Sequence, residues 1–361
     1  MALTAVGVFG VVGLAVDAGR MFIAKNETQV YCDAAAVAAA MVLDGTSTGI
    51  NRAGSAVTAS TNKWNFGATS ISNPSVKFAR AAAGPWVASP NPATGYTYVQ
   101  VTASVSVPLC FLQLLKGQLT SAVTSAAAAG QVPISSLSRG LAPYTAVSTN
   151  TAGPNFGFVV GNPYTIHWPT YNANRHGCGV GDPGRCFNSP PCSGDPDGSL
   201  SAVVANWGPQ YHGYWGSNSN SVMAAAVLDG IQSAPLGIGD NLDSLLTQGN
   251  KQSEARYLDQ RASQDTDTSN NTASSYLANS GHNGRRLLAV AIANPVDPTH
   301  TNVIGFGLFL LLSNGSPSDY YQRNGTGNDP YCAVYVGPYN IGSAGPGAGG
   351  STGASSVRLV E

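Results

Sequence analysis

The first sixteen residues, Met1 to Val16, form one uncharged and largely apolar run. From Asp17 the pattern turns amphipathic: Arg20 and Lys25 fall on a polar side, while Met21, Phe22 and Ile23 are apolar. Asp33-Ala-Ala-Ala-Val-Ala-Ala-Ala-Met-Val-Leu is built of strong helix formers, no proline interrupts residues 1–45, and Gly45 is a natural stop. The pattern predicts one helix over roughly residues 3–44, about 60 Å long at 1.5 Å per residue. Only its C-terminal half is expected to lie on a globular body. The N-terminal half would be apolar all round and needs a surrounding phase other than water. Gly7, Gly10 and Gly13 in that half suit close helix packing.

Beyond the helix the period changes. A short helix is expected over 51–64, and Ser75 to Arg80 alternates as a strand with Val76 and Phe78 inward. The clearest strand is 96–107: Val99, Val101, Ala103, Val105 and Val107 share one face, and Pro108 ends it. Phe111 to Leu115 and Ser121 to Ala129 read as short helical pieces, and Ser221 to Gln232 as another helix. Residues 141–220 carry Pro, Gly, Asn and aromatics without a long period, and 247–283 reads as polar surface, with Asp265, Asp267 and Asn270 solvated. The last third predicts antiparallel strands at Leu287 to Ala293, Val303 to Leu312, Cys332 to Val336 and Val357 to Val360. Val303 to Leu312 is apolar enough for burial on both faces. Gly342 to Ser355 reads as a flexible linker to a final strand that docks on its own sheet or on a neighbour's.

Composition narrows the class. Of 361 residues only 10% are charged, against about 25% in an average domain, and the net charge is −1. That excludes nucleic-acid binding through a broad basic field. Six cysteines, Cys32, Cys110, Cys178, Cys186, Cys192 and Cys332, include three in one Gly/Pro-rich loop. With no C-x₂-C pair and scattered histidines, they fit disulfides in an oxidising compartment better than a zinc site. Tyr164, Trp168, Trp207, Tyr211, Tyr214 and Trp215 would give the stapled region a local aromatic core.

The stretch GLAVDAGRMFIAKNETQVYCDAAAVAAA, Gly13 to Ala40, resembles the amino-terminal region of TadG-like and TadE-like proteins of Flp (tight adherence) pilus assembly. The segments GRRLLAVAIANP, VIGFGLFLLL, YCAVYVGPY and VRLVE resemble longer TadG-related proteins more loosely. Positions 3–7 read Leu-Thr-Ala-Val-Gly, without the glutamate found near the mature start of type IV pilins. The resemblance implies a bacterial, cell-surface or extracellular protein. It also implies a Cys192–Cys332 pair, because both cysteines sit in blocks that look recurrent in that family. Cys178–Cys186 would then close a short loop, and Cys32–Cys110 would tie the helix to the region after the long strand.

No nucleophile–base constellation, H-E-x-x-H or phosphate loop appears, so no enzymatic activity and no cofactor is expected. Asp197, Ser199 and Ser201 spell D-x-S-x-S, but in a loop rather than at the end of an apolar strand. Asp182, Asp195 and Asp197 could form an oxygen cage for calcium, although turn aspartates are the plainer reading.

The expected protein is therefore α+β: a long N-terminal hydrophobic helix followed by a disulfide-stapled, antiparallel β-rich globular region. Its expected segments are a pilin-like or anchor helix (1–45), a small α+β region (46–136), a β-rich domain with aromatic, Cys-rich loops (137–341), and a Gly-rich linker with a terminal strand (342–361). The expected function is a structural subunit of a pilus-like filament. Leu3, Val6, Gly7, Phe9, Gly10, Val12, Gly13, Leu14 and Val16 would be its assembly surface. The alternative is a membrane-anchored accessory protein of a Tad/Flp system. Expected partners are other copies of the chain, the pilus assembly machinery, and a membrane before assembly.

Overall fold

The computed structural model describes residues 2–60, 63–65, 68–71, 73–113, 117–148, 150–167, 219–242, 252–270, 272–279, 281–297, 300–311, 331–342, 346–348 and 351–360, with backbone alone at 2–10, 167, 252–255, 295–297, 300 and 331. Two compact units emerge: Met1–Val132 with Val357–Glu361, and Pro133–Ser356.

In the first unit, helix α1 (Ala2–Met41) runs 40 residues without a break, so the single long helix expected from the pattern is present. Helix α2 (Ser47–Ala59) follows, with Thr46 as N-cap accepting from the Gly49 amide. Asp44 accepts from both the amide and the hydroxyl of Thr46 and pairs with Arg52, which fixes the corner between the helices. Strands β1 (Lys63–Trp64) and β2 (Thr69–Ser70) form a small hairpin. Then β3 (Ser75–Ala79), β4 (Tyr98–Pro108) and β5 (Thr120–Pro133) pair antiparallel in sequence order.

The β4 alternation holds as expected: Val99, Val101, Ala103, Val105 and Val107 are all buried. The helix expected at Ser121 to Ala129 is instead the centre of β5, paired with β4 residue by residue from Tyr98↔Gly130 to Pro108↔Thr120. Eleven cross-strand positions outweigh the helix propensity of five alanines. The alanines and serines also leave room for α1. The Lys25 Nζ donates to Thr124 O at 2.6 Å, Gln29 Nε2 to Ala126 O at 3.1 Å, and Ser125 Oγ to Lys25 O at 3.3 Å.

The second unit is built on strands β7 (Leu141–Val147), β10 (Leu287–Asp297), β11 (His300–Leu310) and β12 (Tyr331–Ile341), in the order β12-β11-β10-β7. The other side of β12 takes β8 (Pro163–His167) along its first residues and Ala354–Ser356 of β13 (Ala354–Val360) along its last. Pairs β10–β11 and β11–β12 are antiparallel, but β7–β10 and β12–β13 are parallel. The sheet is therefore mixed, not wholly antiparallel, because β7 and β13 arrive by long connections that do not impose a hairpin.

Strand β10 is buried on both faces: Leu288, Val290 and Ile292 enter one core cluster, and Ala289, Ala291 and Ala293 another. Helix α3 (Asn220–Asp229), capped by Ser219 and stopped by left-handed Gly230, supplies Val227 to the first cluster and Ala226 to the second. Helix α4 (Gln252–Ser263) adds Leu258 and Ala262. Phe158 lies at the aromatic centre, 4.7 Å from Tyr164 and 5.3 Å from Tyr335 between ring centroids. Of the aromatics expected to form a core, Tyr164 does; Trp168, Trp207, Tyr211, Tyr214 and Trp215 lie outside the described residues. A two-stranded sheet, β6 (Ser136–Arg139) with β9 (Ile231–Gly237), completes the unit.

Two polar readings are corrected. Asp265 and Asp267 are not solvated; they are 5% and 3% exposed and surround the fully buried Arg286. Arg286 donates to the carbonyls of Leu311, Asp267 and Asn270 at 2.8–2.9 Å. Asp265 accepts from the Tyr276 hydroxyl of helix α5 (Ala273–Ala278) and from the Arg286 amide. Asn270 and Asn279 side chains, together with the Ser269 and Asn270 amides, hold the Asp267 carboxyl far below the usual range. The glycine-rich tail is also tied down: Tyr339 N bonds Gly353 O, Phe306 N bonds Thr352 O, and Gly347 N bonds Pro338 O. The first residues of the final strand thus pair with the chain's own β12.

Arg286→Ala would leave the carbonyls of Leu311, Asp267 and Asn270 without the guanidinium that bonds them. A loss of about 3 kcal/mol or more is expected, at about 1–3 kcal/mol for each buried polar group left unsatisfied. Urea unfolding of the full chain checks it.

Candidate functional site

The candidate site is helix α1 and what holds it. Its buried face carries small residues, Ala24, Ala35, Ala36, Ala39 and Ala40, with Thr28, Tyr31 and Cys32 between them. Short side chains let the helix approach the valine face of β4 closely. Thr28 returns its hydroxyl to Ala24 O, and the Tyr31 hydroxyl reaches Val57 O on α2. At the C-terminal end the last carbonyls of a helix lack partners. Here the buried Gln131 side chain donates to Ala40 O at 2.8 Å and to Leu43 O at 2.7 Å.

Near the other end stands Asp17, 1% exposed. Its carboxylate accepts three consecutive backbone amides of the β4–β5 connection: Cys110 at 2.9 Å, Phe111 at 2.8 Å and Leu112 at 2.7 Å. The Leu112 and Cys110 amides, more than that of Phe111 and the Arg20 charge, hold this carboxyl below its ordinary value against the opposing effect of burial. One turn earlier, a Cβ on Gly13 would overlap the Phe111 ring. Gly13 therefore admits the Phe111 ring of its own chain. Packing also reaches higher on the helix than its C-terminal half, because the β4–β5 connection climbs to meet Asp17.

The opposite face of α1 is open. Val11 is 70% exposed, Val12 54%, Val16 45%, Phe22 67%, Ile23 37% and Val30 67%. At 3.6 residues per turn these six fall within an arc of roughly 140°. Gly19, within that arc, has nothing within 4 Å of an added Cβ. Leu14 is also exposed, on the other flank. Leu3, Val6, Gly7, Phe9 and Gly10 lie on the same helix, where only the backbone is described. Phe22, Ile23 and Val30 extend the exposed apolar positions beyond Val16; their apolar character in an otherwise polar stretch is the sequence signal for this. Among the described residues no helix is long and apolar enough to cross a membrane.

The expected Cys32–Cys110 bridge is absent: both are free thiols. Cys32 faces Ser125 O at 3.4 Å, whereas Cys110 lies beside Asp17 and accepts from Arg20. Fifteen helical residues separate the two levels, about 22 Å along the axis, far beyond disulfide reach. No disulfide joins two described residues. Cys332, buried on β12, is disulfide-bonded; Cys178, Cys186 and Cys192, and with them the Cys192–Cys332 and Cys178–Cys186 pairings, lie outside the described residues. So do Asp182, Asp195, Asp197, Ser199 and Ser201 of the calcium and D-x-S-x-S readings. Among the described residues no group of three or more His, Cys, Asp or Glu side chains could hold a metal ion.

Helix α1 thus has one face committed to its own sheet and one apolar face left open. Residues 1–42 match the family model for putative Flp pilus-assembly TadE/G-like proteins. The N-terminal segment is thus TadE/G-like, which ties it to Flp pilus assembly and to the bacterial cell envelope or surface. No curated protein and no solved structure matches the chain.

Asp17 gives a signed pH dependence. Its folded pKa is depressed, so its contribution is present above the unfolded carboxylate value, about 4, and is lost as pH falls through the lower folded value. Amide exchange at residues 110–112 is expected to rise only under acid conditions in the natural chain, and at neutral pH in Asp17→Ala. Gln131→Ala is expected to lose about 1–3 kcal/mol for its unpaired buried carbonyls, read as a lower urea midpoint.

Proposed function

We propose that this chain is a pilin-like structural subunit of an extracellular filament, non-enzymatic, assembled through packed copies of α1. The observation that carries the reading is the open arc of Val11, Val12, Val16, Phe22, Ile23 and Val30 on a helix already anchored along its other face. Burying one large aliphatic or aromatic side chain contributes about 1.5–3 kcal/mol. Six together supply on the order of 10 kcal/mol toward association, before the loss of translational and rotational freedom.

The near-neutral composition, 17 basic against 18 acidic residues, supports the same reading. Identical bodies can pack side by side without strong like-charge repulsion. The fully paired Asp17 supports it too, since it fixes the helix axis against the sheet and every copy would present the same arc. Partners under this proposal are other copies of the chain and the Flp pilus assembly machinery. The alternative, a low-copy accessory protein anchored through the same helix, differs in stoichiometry rather than chemistry.

The test is negative-stain imaging of sheared cell-surface material together with substitution on the arc. Val12→Asp and Phe22→Asp change exposed positions, so each should leave the fold intact by circular dichroism and abolish filaments containing this chain. Normal filaments from both variants, or no filaments of this chain from the natural protein, would put the accessory role first.

A further inference from the structure

The connection between β4 and β5 carries an apolar surface that the filament reading does not use. Within it Leu109 and Leu112 are buried, while Phe111 is 43% and Leu119 74% exposed. The Leu109 amide bonds Leu119 O at 2.9 Å, which closes the base of the hairpin tip. Through Asp17 and Gly13 this tip is fixed at the level of the helix where Val11, Val12, Leu14 and Val16 are exposed. By the 3.6-residue turn, those four point along directions spread round the axis, and the tip covers the remaining side, that of Gly13 and Asp17. The result is an apolar collar round the whole circumference, made by two elements far apart in sequence.

The charges bordering the collar are one-sided. The only acid before Glu27 is Asp17, which three amides enclose. The next ionisable groups along the helix are Arg20 and Lys25, roughly 5 and 12 Å beyond Asp17 at 1.5 Å per residue. An apolar band edged by cations, with its one carboxylate sequestered, is complementary to acyl chains topped by phosphate headgroups. A single partner helix covers one side of another, whereas a collar that includes the tip is covered all round by an apolar medium.

We infer that Phe111 and Leu119, in the described parts of the β4–β5 connection, contact lipid and seat the first unit at the acyl–headgroup boundary of a phospholipid bilayer beside the N-terminal part of α1. This holds whether or not the chain later enters a filament, so it does not depend on that reading.

The test uses the full chain reconstituted in phosphatidylcholine vesicles, with Leu119→Trp as reporter and Lys77→Trp, exposed on β3, as control. The added indole of Leu119→Trp should emit at shorter wavelength and lose most of its intensity when the acyl chains carry bromine. That of Lys77→Trp should stay quenchable by aqueous iodide only. Phe111→Trp repeats the measurement at the second position. The proposal falls if the Leu119→Trp and Phe111→Trp signals match the control. It falls equally if both shift in lipid-free assembled protein and bromolipid has no effect, since the tip would then be a contact between copies.

Discussion

The Asp17 carboxylate and the three amides of residues 110–112 set the frame on which the first unit depends. A helix about 60 Å long cannot be oriented by contacts at one end alone, because a small tilt at its base becomes a large displacement at its tip. Gln131 grips the C-terminal carbonyls, and Asp17 grips the sheet's hairpin some 23 residues earlier in the helix. Between these points the small side chains of α1 and β5 bring the helix close to the sheet, and Lys25 and Gln29 hydrogen-bond strand carbonyls directly. Side-chain bulk on that face would force the helix away and break both clasps.

Fixing one face of the helix defines the other. Asp17, Ala24, Thr28, Tyr31, Ala35 and Ala39 are buried, so the opposite side, from Val11 to Val30, can only be solvent-facing or partner-facing. Its exposure is not the scattered exposure usual on soluble surfaces; it is aligned along one helix and extends onto a neighbouring hairpin tip. Rigidity matters as much as apolarity here, because a surface presented in one geometry associates at a lower entropic cost.

The second unit solves a different problem. Its mixed sheet is buried on both faces at β10, and its polar connections are organised round Arg286 rather than left to solvent. A guanidinium with its donors on backbone carbonyls holds together segments that have no regular ladder between them, at the level of single loops. The tail residues that bond to β11 and β12 do the same for the chain's end.

Local pattern alone determined much of this protein. The continuous helix, the β4 alternation, the buried run of β11 and the helix of residues 220–229 all follow from side-chain periodicity and stop signals that act within a few residues. The open apolar arc was partly visible in the uncharged start, though Phe22, Ile23 and Val30 were not counted in it. Tertiary structure decided the rest. Ser121 to Ala129 has helical local preference and became a strand because β4 offers an eleven-residue partner. Asp17 in sequence only opens the amphipathic stretch, yet its carboxylate accepts from amides more than ninety residues away. Asp265 was likewise misread because its surroundings depend on Arg286 and Tyr276, and the Phe111 ring reaches Gly13 only through the fold. The dividing line is the range of the interaction: hydrophobic period and backbone propensity are written in neighbouring residues, whereas a buried charge or a close approach takes its meaning only from what the fold places against it.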